Sequence, residues 1–486
     1  MKKYLLFIIG LLLFSLVGCS ANNDNDSNKI INDNLTDVGL TEKETPTETV
    51  KPLETVTPTE TVTPAEDDNT INVWCSSSEV ADIIEKFIET HPDFPYEMNV
   101  EPFATIDLDF ELTLYDSLVA GESVIYDYEL PDIYSVEIEY AARFTQGDAY
   151  QYSADYKELG IDVDALIEEA EIPRYYIDLG TNPEGNLLAL GYQNTSGAFI
   201  YRRSIARDVW GSDEPSVIKD VIGPGWDRFF EAAQDLKENG YGICSGINDI
   251  WYPVRNSADL GWIVDGKLYI DPKREAFLDY AYKLVDCDYT NNSTQWGDEW
   301  FLDIKGEGEK EIFGFLGPYW LVNYVMLPFS GGEAIGEGTY GDWAICIPPS
   351  DFFLGGRLLM ARKDAKHKEA IGEIFEWITL DTSDTGFQHL FATEEESPGI
   401  KHIPASTNSI RNLNYTMDFI GGQDMYEIYI SAGKNTRGDN LTKNNELIDH
   451  FWLSQVHEYA GKSKTREQAI TDFKKLVAEH TDVIVE

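Results

Sequence analysis

Gly242-Ile243-Cys244-Ser245-Gly246 has the G-x-C-x-G spacing of a nucleophile elbow, a turn that would expose a cysteine thiolate between a strand and a helix. That chemistry needs a helix directly after the nucleophile and a histidine partner. The residues that follow, Ile247 to Pro253, carry no helical pattern, so no working elbow is expected. Carboxylate pairs such as Asp107 with Asp109 and Asp286 with Asp288 have the composition of a glycoside-hydrolysing acid–base pair. In a chain with 86 Asp and Glu, such pairs arise by chance, and hydrolysis is the weaker alternative. The seven histidines include no H-E-x-x-H, and no D-x-[DN]-x-[DN]-G loop is present. Cys75, Cys244, Cys287 and Cys346 lie far apart without a C-x-x-C, which leaves buried thiols or one disulfide open. No metal site, no cofactor and no enzymatic activity are expected. What the chain does hold in surplus is rings, with 11 Trp and 27 Tyr. Rings beside carboxylates, amides and guanidinium groups hold a molecule by stacking and hydrogen bonding.

Length and charge narrow the partners. A chain of 486 residues with 43% hydrophobic residues can build two or three domains with a substantial core. Its formal charge of −49 repels nucleic acid and anionic lipid, and suits a neutral or cationic ligand.

The N-terminus reads as a targeting segment. Lys2 and Lys3 precede an apolar run from Tyr4 to Phe14, too short for a mature membrane span. Leu16-Val17-Gly18-Cys19 resembles the lipobox of bacterial lipoproteins. The resemblance implies a signal peptide over 1–18, and diacylation of Cys19 by palmitate-like chains that hold the protein on a membrane. Residues 19–70 form a low-complexity linker, Asn/Asp-rich at first. It then repeats a hexad, as in Glu54-Thr55-Val56-Thr57-Pro58 and Glu60-Thr61-Val62-Thr63-Pro64. A proline in every hexad forbids helix, and like charges extend the segment, so a disordered stalk is expected.

The folded part is expected from Ile71. Ile71 to Cys75 alternates as a strand, and Val80, Ile83, Ile84, Phe87 and Ile88 fall on one helical face. A strand near Tyr96 to Phe103, a helix over Leu108 to Ala120 and a strand over Pro131 to Ser135 continue the alternation. That order argues for parallel α/β layers. Further strands are expected on both sides of Gly191, over Trp343 to Pro348 and after Gly355-Gly356. Asp265-Gly266 marks a hairpin. Helices are expected from Gly225-Trp226 to Asn239, Pro272 to Asp286, His367 to Thr379, Glu446 to Tyr459 and Arg466 to Glu479.

This order of segments resembles the maltose-binding-protein-like extracellular solute-binding proteins, family 1 of that class. Pro131-Asp132-Ile133 carries the likeness, as do Gly197-Ala198-Phe199-Ile200-Tyr201-Arg202-Arg203 and Pro224-Gly225-Trp226-Asp227-Arg228-Phe229. Phe315-Leu316-Gly317-Pro318-Tyr319-Trp320 and Gly355-Gly356 complete it. Arg202 stands where the family usually has Asn, and Gly225 where it has Thr. The likeness covers roughly 71 to 480. It implies an α/β, two-lobed, periplasmic-binding-protein-like fold with crossover hinge strands. One lobe would be 71–188 with 346–397, and the other 189–345 with 398–486. It also implies a monomeric receptor on the extracytoplasmic face of a cell membrane, as in Gram-positive bacteria. Such a receptor captures an oligosaccharide and passes it unaltered to ABC permease subunits. A same-fold receptor for a non-sugar solute is the first alternative.

A neutral sugar needs flat apolar faces and hydrogen bonders. Trp320, at a helix start after Gly317-Pro318, is the leading stacking candidate. Trp251 and Tyr252 follow Asp249 in a loop-like stretch. Trp74, Ser76 and Ser77 lie at the carboxyl end of the first strand, where open α/β sheets bind ligands. Tyr134 and Glu137 stand at the end of the third strand and just after it, Tyr192 lies beside the crossover, and Arg357 follows two glycines. For each ring the plain alternative is a buried core side chain, and for Arg357 it is a structural ion pair.

Overall fold

The structure is a computed structural model and describes residues 69–103, 110–125, 128–395 and 399–486. The signal peptide, the lipobox with Cys19, the stalk and the Asp107/Asp109 pair lie outside the described residues.

Strands β1 (Thr70–Cys75), β2 (Glu97–Pro102) and β3 (Ile133–Glu137) are joined through helices Ser78–Thr90 and Phe110–Ala120. β1 runs parallel to both β2 and β3, with Val73 opposite Val100 and Ile133. This is the layered arrangement the alternation predicts. The helix Ser78–Thr90 buries Val80, Ile83, Ile84 and Phe87. Ile88, expected on the same face, is 37% exposed, because its position lies about 80° round the helix from Val80.

Short strand β4 (Leu190–Gly191) follows, then β5 (Ala198–Arg202), and β6 (Ile263–Val264) pairs with β7 (Lys267–Leu268). The β6–β7 turn carries Asp265 at φ +52° and Gly266 at φ +76°, the left-handed pair a tight hairpin needs. β8 (Gly314–Gly317), β9 (Trp343–Cys346) and β10 (Arg357–Ala361) complete two main sheets. The first has the order β2-β1-β3-β10-β4 and the second β8-β5-β9. β10 lies antiparallel to β3, with Arg357 opposite Glu137, so the first sheet is mixed rather than purely parallel.

Each sheet has its own core. The first gathers Ile71 to Tyr192, Phe353 to Phe391, and also Ala405 and Leu441. The second gathers Ala198 to Phe352, Leu354, and Ala392 to Val483. The chain passes between these two lobes in three short segments paired with one another. Gln193 bridges Pro404 and Ser196 bridges Phe353. The Asn194 amide donates to Ile403 O at 2.7 Å, and the Leu354 amide to Thr195 O at 3.0 Å. Tyr192 still belongs to the first core, and Cys346 and Phe352 to the second.

Two local departures have physical reasons. Gly225 precedes the helix Trp226–Glu238 at φ +86°, a conformation that strains threonine, so glycine at this position follows from the backbone. Residues Ile247 to Pro253, expected to be non-helical, fall in a 3₁₀ turn (Ile247–Ile250) and a helix (Trp251–Asn256). The Asp249 carboxylate accepts the Gly246 amide at 2.8 Å and starts them. All four cysteines among the described residues are free. Among the described residues, no helix is long and apolar enough to cross a membrane.

Candidate functional site

The carboxyl ends of β1 and β3 and the start of β10 converge beside the crossover segments. Arg357 is the centre of this convergence. Its Nη2 meets Glu137 Oε1 at 2.7 Å, its Nη1 meets Glu79 Oε2 at 3.2 Å, and its Nε donates to Ser76 Oγ at 3.3 Å. The arginine side chain is 11% exposed, whereas Glu79 and Glu137 are 25% and 28% exposed. A buried cation therefore braces two carboxylates that keep contact with solvent. Burial alone would lower the Arg357 pKa, but Glu137, Tyr192 and Glu79 hold it above its ordinary value.

Other groups crowd the same place. Glu111, on the helix after β2, is buried, and burial followed by the charge of Glu137 raises its carboxyl to about 7. Tyr192 is fully buried, and burial together with Glu79 pushes its phenol well above the ordinary range. Ser77 Oγ is buried without a hydrogen-bond partner among the described residues, whereas the buried Tyr192 hydroxyl stands beside Glu79. An unpartnered atom carries a desolvation cost that an incoming hydroxyl can relieve.

The second lobe brings rings to the same hinge. The Trp320 indole N–H donates to Leu354 O at 3.1 Å. Its ring lies close enough to Gly355 that a Cβ there would sit 3.3 Å away. Two residues on is Arg357, so the Cα of Gly355, at the Trp320 contact, lies within about 7 Å of the Cα of Arg357. Tyr319 donates to Gln193 Oε1 at 3.0 Å. Tyr252 lies under the Arg255 guanidinium, 4.7 Å from ring centroid to Cζ. Arg255 in turn meets Glu139 of the first lobe at 2.5 Å and Asp449 of the second at 3.3 Å. Arg143 pairs with Glu446, a second ion pair between the lobes.

Of the residues singled out from sequence, Ser76, Ser77, Glu137, Tyr192, Arg357 and Trp320 come together at the hinge. Tyr252 stands a short way off, at the Glu139–Arg255 contact. Trp74, Tyr134 and Trp251 are turned into the cores. Trp74 packs edge-on to Phe103 at 5.0 Å, Tyr134 bonds Ser153 Oγ at 2.7 Å, and Trp251 packs on Phe277 at 5.0 Å. Glu79 and Glu111 were missed, although Glu79 follows the serines that end β1 and shares their location. The Cys244 thiol is buried at 3.5 Å from Gly246 O, and burial raises its pKa well above the usual range, so it is no activated nucleophile.

No protein-family model matches the chain, and no curated protein matches it by sequence. Solved structures do. An extracellular solute-binding protein of family 1 is similar at a TM-score of 0.69 and 13% identity, over 84% of this chain and 99% of that one. The sugar-binding protein MalE of Xanthomonas citri is similar at 0.62 and 12%, over 84% and 96%. The galacto-N-biose-/lacto-N-biose I-binding protein of Bifidobacterium longum, solved with lacto-N-biose, is similar at 0.58 and 16%, over 84% and 96%. With its two cores, mixed first sheet and triple crossover, the chain has the fold of the extracellular solute-binding proteins of family 1.

Proposed function

We propose that this chain is the solute-capturing receptor of an ABC importer and closes its lobes over a neutral carbohydrate. The observation that carries the reading is that the Arg357–Glu137–Glu79 group and Trp320, which bonds Leu354 O three residues before Arg357, both stand at the crossover. Carboxylates braced by a guanidinium accept and orient hydroxyls, and a ring covers the C–H face of a sugar. The solved neighbours with sugars bound support the choice of ligand class. The sugar is handed on unaltered to permease subunits. The lobes are 71–188 with 346–397 and 189–345 with 398–486, adjusted at each crossing by the few residues described above. Cys19 carries the lipid that keeps the monomeric receptor at the extracytoplasmic face of the membrane.

A second reading, a same-fold receptor for an amine-bearing solute, is favoured by Glu79, Glu111 and Glu137 surrounding one arginine. Calorimetry with maltotetraose, lacto-N-biose, β-1,6-galactobiose and an amino-sugar oligomer separates the two. Micromolar binding of a neutral sugar, recovered intact by chromatography, supports the first reading. Binding of the amine alone supports the second, and hydrolysis of any sugar contradicts both.

A further inference from the structure

Trp296 lies in the irregular stretch between the helices Pro272–Asp286 and Asp298–Lys305. Its φ is +69°, a left-handed conformation that strains a bulky side chain and persists only where the surroundings enforce it. The surroundings do enforce it. The Ser293 amide donates to Ser245 O at 3.1 Å, and Ser293 Oγ to Asp303 Oδ2 at 2.8 Å. Asn291 Nδ2 donates to Asp303 Oδ1 at 2.5 Å and to Lys310 O at 2.9 Å. This loop sits past the carboxyl end of the segment at Gly242, which runs parallel to the chain leading into β8 and Trp320. The Trp296 ring lies 6.2 Å from that of Trp320 at 19°, and 4.9 Å from that of Trp300.

Exposure separates the three rings. Trp300 is 1% exposed and Trp320 9%, so neither offers a whole face to solvent, while Trp296 is only half-buried. The geometry points to Trp296 as the ring that contacts the ligand, with Trp320 and Trp300 as its backing. The inference rests on the carbohydrate-receptor reading and adds a specificity-determining residue to it. The site selects solutes with a flat C–H face, such as pyranosides, and the rigid loop keeps the ring from turning aside.

The test uses the full chain and the sugar, among maltotetraose, lacto-N-biose and β-1,6-galactobiose, that the wild type binds most tightly. Trp296→Ala is expected to weaken binding at least about tenfold, and Trp296→Phe by no more than about threefold. Thermal unfolding runs in parallel, with Trp296→Gly expected to be at least as stable as Trp296→Ala because glycine accepts the left-handed backbone. A Trp296→Ala affinity within about twofold of wild type overturns the inference and leaves the receptor reading intact. Wild-type protein that binds none of the sugars overturns both.

Discussion

Glu111 shows at a single residue how the site charges its surroundings. Burial, and then Glu137, raise its carboxyl to about 7 in the fold, against about 4.3 for an unfolded glutamate. Because the folded value is the higher, the stability associated with its bound proton is complete below about pH 4 and is lost as pH rises through about 7. Glu111→Gln is therefore expected to leave stability nearly unchanged at about pH 4 and to raise it by about 1–3 kcal/mol at about pH 8. Urea unfolding at the two pH values checks this, and equal effects at both would contradict it. The same scale shows what sequence can and cannot tell. Arg357, Glu137 and Ser76 were legible because strand ends and a glycine pair fix where they stand. Tyr134 was not, because β3 is buried on both faces and successive residues point opposite ways. Only the partner strand decides which parity faces the cleft, and here Arg357 opposite Glu137 decides it. Trp296 left no trace in any periodicity, since an irregular loop has none.

At the scale of elements, most strands and helices followed from pattern, and the exceptions are instructive. The helix Trp251–Asn256 continues a 3₁₀ turn, Ile247–Ile250, whose start the buried Asp249 carboxylate holds, and it carries Pro253 in its first turn, where proline costs no hydrogen bond. Read as a run, those residues look like a loop. β10 is predictable as a strand after glycines, but its antiparallel pairing with β3 depends on the crossover returning the chain to the first lobe. That return uses Gly356 at φ +101°, where an added Cβ would stand 2.6 Å from the buried Thr195 side chain. Gly356→Ala is expected to destabilise the protein by at least about 2 kcal/mol, through backbone strain and overpacking together. Chemical unfolding measures it, and a loss under about 0.5 kcal/mol would show that the hinge yields more easily than this packing implies.

Across the whole molecule, the two lobes meet through charge as well as through the three crossings. Arg255 keeps Asp449 within its own lobe and gains Glu139 from the other. The Asp449 carboxylate also accepts the Trp262 indole N–H at 2.6 Å, so this guanidinium is never without a buried partner. Removing Glu139, the more exposed of its two partners, should then matter little to folding. Glu139→Gln is expected to cost no more than about 1–2 kcal/mol, whereas Arg255→Met, which takes the ion-pair partner from buried Asp449, should cost about 3–5 kcal/mol. Unfolding free energies of the two variants rank them, and a reversed order would contradict the division of roles. The two-lobed plan was readable in the order of segments, while the seam was not, because Glu139, Arg143, Arg255 and Glu446 are far apart in sequence. The central claim is that a carbohydrate lies between the lobes at the crossover. A crystal structure of the protein with its tightest-binding sugar tests it most directly. The sugar is predicted between the Arg357–Glu137 group and the ring of Trp296, which Trp320 backs, with its hydroxyls on the carboxylates. A sugar bound elsewhere on the protein, or a cleft still empty at saturating sugar, would contradict the account.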